Sequence, residues 1–106
     1  MRRIASILLA ACALAALRPA MAADLALGKA LLQRDCARCH AIGKTGESPR
    51  RDAPAFHTLG RRYPIESLEE ALGEGIITGH NDMPEFKFSP ADVGAIIAYL
   101  KSIQRR

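Results

Sequence analysis

Cys36-Ala37-Arg38-Cys39-His40 is the stretch on which the reading of this 106-residue chain turns. Two thiols three positions apart, with a histidine directly after the second, have the form of a c-type haem attachment site. The spacing has a physical reason. Near the end of a helix, residues i and i+3 share a face about one turn apart, so Cys36 and Cys39 can form thioethers to two neighbouring vinyl groups of one porphyrin. His40 follows where the chain turns over the ring, and its imidazole can reach the iron as proximal ligand. Three other readings stand beside this one. A structural zinc site needs four ligands in a tetrahedron, and once the N-terminal stretch carrying Cys12 is set aside the chain offers, beyond this motif, only His57 and His80, with no second Cys pair. A thioredoxin-like redox pair needs a strand and a βαβ context, whereas the residues before Cys36 have a helical pattern. A plain disulfide leaves His40 unexplained.

Working outward toward the N-terminus, the first stretch has the composition of a secretory signal peptide. Met1-Arg2-Arg3 is a short basic region, Ile4 to Leu17 is almost wholly apolar, and Ala20-Met21-Ala22 supplies the small residues of a cleavage site. The apolar run is shorter than the roughly 20 residues of a membrane span, and Arg18 and Pro19 close it. The expected division is therefore a leader over residues 1–22 and one domain over residues 23–106. Leu9-Ala10-Ala11-Cys12 also resembles a bacterial lipobox, which would make Cys12 an acylated anchor. The formal charge of +4 drops by three, to +1, when Arg2, Arg3 and Arg18 leave with the leader. With no basic stripe and no interleaved aromatics, nucleic acid is not an expected partner. A domain of this size with no Trp, three Phe and two Tyr has a thin core, and small domains of that kind usually need a staple. A covalent haem is one.

Working forward, the spacing predicts a first helix from about Leu25 to Cys39, capped by Asp24, with Leu25, Gly28, Leu31, Leu32 and Cys36 on its buried face. Gly28 costs about 1 kcal/mol in a helix interior relative to alanine. It marks either a close backbone approach or an incidental surface position. Residues 41–55 have no period and many breakers, so they read as loop, with Arg50-Arg51 as a solvated surface. Arg61 or Arg62 could reach a buried carboxylate such as a propionate; which of them does, if either, is open. A second helix is expected from Pro64 to Ser67 onward, with Ser67-Leu68-Glu69-Glu70 in capping-box form and Gly73 and Gly75 at its stop. The segment from Ile76 to Pro84 reads as loop. The last helix has Ser89 as N-cap, Pro90 at its first position and Asp92 in its first turn. Its apolar stripe is Val93, Ile96, Ile97, Leu100 and Ile103. No stretch reads as a strand, so the expected fold is all-α, about three main helices with loops wrapped around one haem.

Three features in this order carry a family resemblance: the attachment motif ending the first helix, the Asp82-Met83-Pro84-Glu85-Phe86 loop, and the Ile96-Ile97-Ala98-Tyr99-Leu100-Lys101 helix. Together they resemble the class I cytochrome c family, particularly its small bacterial periplasmic members, from about Asp24 to Gln104. The resemblance implies the cytochrome c fold around one covalent haem c, with Cys36 and Cys39 as thioether sites and His40 as the proximal iron ligand. It implies Met83 as the distal ligand and Pro54 as the residue whose carbonyl accepts the other ring N–H of His40, fixing its tautomer. It also places Gly28 and Leu32 where the first helix crosses the last at Ile96 and Tyr99. A lone methionine is usually core filler, but Met83, the one methionine internal to residues 23–106, sits in a loop beside a proline. His80 is its competitor for the iron, and His57 is expected at the surface.

Two protein ligands on one iron would leave no place for substrate or dioxygen, and a thioether raises the potential. The expected function is a single-electron carrier in a periplasmic chain, not an enzyme. Its partners would be redox proteins such as a dehydrogenase, a cytochrome complex or a terminal oxidase; the mature form would be a monomer without a membrane span. The rivals are a haem enzyme or gas sensor in which Met83 is labile, and a subunit permanently docked to an oxidase or dehydrogenase.

Overall fold

The computed structural model describes residues 20–75 and 82–105. Among the described residues the fold has three α-helices and two short 3-10 segments, and no strand. Helix α1 runs through residues 20–35. It starts earlier than the Asp24 cap suggested, because Ala20, Met21, Ala22 and Ala23 are all good helix formers and carry the helix past Asp24. It also stops earlier. Cys36 N–H and Ala37 N–H both donate to Leu32 O, at 2.8 and 3.0 Å, and this sharing unwinds the helix into turns. Cys39 and His40 then both donate to Cys36 O, at 3.1 and 2.9 Å.

Leu25 is 37% exposed, so the buried face begins one turn later than its periodicity implied, at Gly28, Leu31 and Leu32. Gly28 is a true crossing point. A Cβ there would run into the carbonyl of Ala95 and lie 2.8 Å from Tyr99 Cβ, so only glycine lets α1 sit this close to the last helix.

A 3-10 helix, Phe56–Arg61, and a second short 3-10 turn, Ile65–Ser67, lead into α2, Leu68–Glu74. The capping box is not made: Ser67 is already in the right-handed helical region as part of the 3-10 turn, and its side chain gives α2 no cap bond. An N-cap needs extended backbone for its hydroxyl to turn back, and that condition fails here. Gly73 lies within α2, and Gly75, at φ +113°, ends it with a backbone that favours glycine.

Helix α3, Pro90–Ile103, starts as expected, with Ser89 extended and its hydroxyl accepting from Asp92 N–H at 3.2 Å. Val93, Ile96, Ile97, Leu100 and Ile103 are all buried. They join Leu31, Leu32, Leu59, Ile65 and Leu72 in one core, at whose centre Ile96 is fully buried. The end of α3 is tied to the first 3-10 helix by Gln104, which accepts from Gly60 N–H and donates to Phe56 O, at 2.7 and 2.8 Å. Tyr99 hydroxyl donates to Ile42 O at 2.7 Å, pinning the loop after the attachment motif to α3. Among the described residues no helix is long and apolar enough to cross a membrane.

Candidate functional site

The unwinding of α1 decides how the motif is presented. Cys36 stays half-buried against the core, and Cys39 and His40 turn onto the edge of a cavity of about 390 Å³. That volume falls in the ~300–1,000 Å³ range of cofactor sites. Leu32, Leu59, Leu68, Leu72, Ile96 and Leu100 form its apolar floor, and Cys36, Cys39, His40, Pro54 and Met83 all line it. Residues from position 36 to position 83 thus meet at one hollow. His80 lies outside the described residues, as do Cys12 and the other residues up to 19.

His40 is fixed on two sides. Its Nδ1 lies 2.8 Å from Pro54 O. A carbonyl can only accept, so Nδ1 carries the proton and Nε2 is left with a free lone pair, the form that binds a metal. Its ring also stacks on Phe56, with centroids 4.6 Å apart and planes 30° apart. Phe56 is held in turn by its N–H to Ala41 O, at 2.9 Å.

The two thiols are free. Burial, the Asp35 carboxylate and Cys39 push the Cys36 thiol up to about 11. A redox-active Cys-X-X-Cys pair has a lowered thiol pKa, so this environment is the opposite of a thioredoxin-like site. Asp35 itself is held below its ordinary range by Arg34, which grips it through two contacts of 2.8 Å. Among the described residues no group of three or more His, Cys, Asp or Glu is placed to hold a metal ion. An apolar hollow with two thiols, a tautomer-fixed imidazole and a thioether on its wall fits a haem.

One residue stands differently from its sequence reading. His57 is not at the surface: it is 7% exposed, and its Nε2–H donates to Gly46 O at 2.9 Å. Its Nδ1 is buried without a hydrogen-bond partner. The histidine pins the loop at Gly46 to the 3-10 helix, a long-range role that no local pattern signals. Arg50 stands at the surface as its sequence suggests, 40% exposed, and is ion-paired there. Its guanidinium is paired with Asp52 at 2.7 Å and with Asp82 at 2.9 Å. Arg62 lines the cavity; Arg61 is not among its lining residues. A wider groove of about 730 Å³ between α2 and α3, rimmed by Glu66, Glu69 and Glu70, contains no residue of the motif.

Comparison with known proteins agrees with this geometry. Residues 23–100 match the family described as cytochrome C oxidase, cbb3-type, subunit III. The chain is 35% identical to cytochrome c6 of Picosynechococcus sp. over 88 residues, covering 77% of this chain and 75% of that protein. It is 34% identical to cytochrome c-552 of Bradyrhizobium diazoefficiens over 85 residues, covering 80% of each. No solved structure matches it.

Proposed function

This chain belongs to the class I c-type cytochromes, electron carriers with a covalent haem c, and from that premise we propose a single-electron carrier whose iron is held by His40 and Met83. The observation that carries the reading is the Nδ1–H bond of His40 to Pro54 O, 2.8 Å long, in a cavity whose wall also includes Met83. When bound, the haem supplies an iron that shuttles between two oxidation states. The residues of the chain do the rest. Cys36 and Cys39 would anchor the ring as thioethers, and Pro54 O keeps the His40 Nε2 lone pair aimed and basic. As a ligand, the Met83 thioether would favour the reduced state and raise the potential. The leucine and isoleucine floor keeps water from the ring, so little rearranges when an electron moves.

With His40 and Met83 both holding the iron, no site would be left for a substrate, and the protein would transfer electrons rather than turn one over. Residues 1–22 serve as the export leader, and residues 23–106 work in the periplasm with redox proteins as partners. The matched family's description names an oxidase subunit, which favours a second reading, a carrier permanently docked to an oxidase. Co-purification with a partner at low concentration separates the two.

The test of the ligand assignment is Met83→Ala in the haem-loaded protein. The substitution should lower the potential and open the iron to carbon monoxide. An unchanged potential and no carbon monoxide binding would rule Met83 out.

A further inference from the structure

We propose that Arg50 is the positioning residue for Met83, strapping the segment that carries it to the attachment motif. The inference rests on the His40 and Met83 ligation read above. Arg50 is anchored at both ends. Its main-chain N–H donates to Cys39 O at 3.1 Å, and its own carbonyl accepts from Ala53 N–H at 3.1 Å. Its backbone is therefore part of the turn that follows the motif. Its guanidinium then reaches across 32 positions of sequence, Nη2 meeting Asp82 Oδ2 at 2.9 Å. Asp82 is the residue before Met83. The base of the same segment is closed separately, by Phe88 N–H donating to Leu72 O at 3.0 Å. One strap holds the base, and Arg50 holds the end at Met83.

The second carboxylate makes the strap more than an isolated surface pair. Asp52 takes Arg50 Nε at 2.7 Å and Nη2 at 3.4 Å, which orients the planar fork before Asp82 arrives. A pre-set guanidinium loses less side-chain freedom on making its next bond than a free one does. The three side chains are 40%, 56% and 66% exposed, so the attraction is screened by water and salt. An effect of about two- to fivefold on an equilibrium is what an exposed pair of this kind supplies. Salt near 1 M, where charges are screened within about 3 Å, removes most of it.

The experiment measures how readily added imidazole displaces the methionine from the ferric iron, read by loss of the far-red thioether-to-iron band. Wild type, Arg50→Gln, Asp82→Asn and the double variant are compared at low and high salt, with Arg51→Gln as an exposed neighbouring control. Each single variant should bind imidazole about two- to fivefold more tightly than wild type at low salt. The double variant should match the singles and not exceed them, and wild type should approach them at high salt. Arg51→Gln should behave as wild type. A far-red band present in wild type with equal imidazole affinity in all proteins would overturn the role of Arg50 while leaving Met83 as ligand. Additive effects in the double variant would also overturn it, because Arg50 and Asp82 would then act separately. A wild-type protein with no far-red band removes the ligation itself, and the strap with it.

Discussion

Replacing glycine by alanine at two helical positions should move stability in opposite directions, because one glycine faces a backbone and the other faces open space. In a helix interior alanine is favoured over glycine by about 0.8–1.0 kcal/mol. At Gly94, on the exposed side of α3, a Cβ would meet nothing within 4 Å, so Gly94→Ala should gain most of that. At Gly28 the added methyl would overlap the Ala95 carbonyl and sit 2.8 Å from Tyr99 Cβ. A carbonyl inside α3 cannot swing aside without breaking the helix ladder, so α1 must move outward. Overpacking typically costs about 1–3 kcal/mol, occasionally more, and a backbone collision belongs at the upper end. Subtracting the propensity gain leaves Gly28→Ala less stable by about 2 kcal/mol. For a domain of this size, 1 kcal/mol shifts Tm by about 4–8 °C, so the variants should fall on opposite sides of wild type by a wide margin. Thermal unfolding of the haem-loaded proteins, monitored by far-ultraviolet circular dichroism, reads this directly. Gly28→Ala at or above the wild-type Tm would refute the crossing geometry. So would both variants moving the same way.

Ser89→Ala should cost about 1 kcal/mol through loss of the cap bond to Asp92 N–H, whereas Ser67→Ala should be nearly silent in the same denaturant titration, since Ser67 caps nothing. Tyr99→Phe should cost about 0.5–1.5 kcal/mol by leaving Ile42 O without its hydroxyl partner. Burial raises the Tyr99 pKa above its ordinary value, so its contribution is intact below about pH 10 and is lost as pH rises through the folded-state value. Ultraviolet titration of wild type against Tyr99→Phe should show its phenolate appearing late and together with loss of stability. His57→Ala should cost about 2 kcal/mol or more, as a buried ring and its bond to Gly46 O are both removed. A surface histidine would change stability by less than about 0.5 kcal/mol.

The parts of this fold that follow local rules could be read from the chain. Ser89, Pro90 and Asp92 form a helix start in three residues, and the stripe from Val93 to Ile103 needs only a 3.6 period. The glycine in α1 was visible as a local cost with no local benefit, and the benefit proved to be Ala95 and Tyr99 across the helix crossing. Attachment chemistry points to Cys36, Cys39 and His40 and the family resemblance adds Pro54 and Met83; the structure places all five on the wall of one cavity. Local rules failed where long-range contacts decide. Ser67 has capping-box neighbours, but a preceding 3-10 turn takes away the extended backbone the cap requires. His57 is buried by Gly46 and the C-terminal segment, whose Arg105 N–H donates to His57 O at 3.0 Å. Arg50 is at the surface as its composition suggests, but its ion pair with Asp82 spans 32 positions, beyond the reach of any pattern read along the chain.

The most direct test of the central claim is the visible spectrum of the ferric and ferrous haem-loaded protein, with and without carbon monoxide. Iron held by His40 and Met83 predicts a far-red thioether-to-iron band in the ferric state and no change when carbon monoxide is added to the ferrous state. A missing far-red band together with a carbon monoxide shift would contradict the account, since the sixth position would then be open and the protein suited to binding a ligand at its iron.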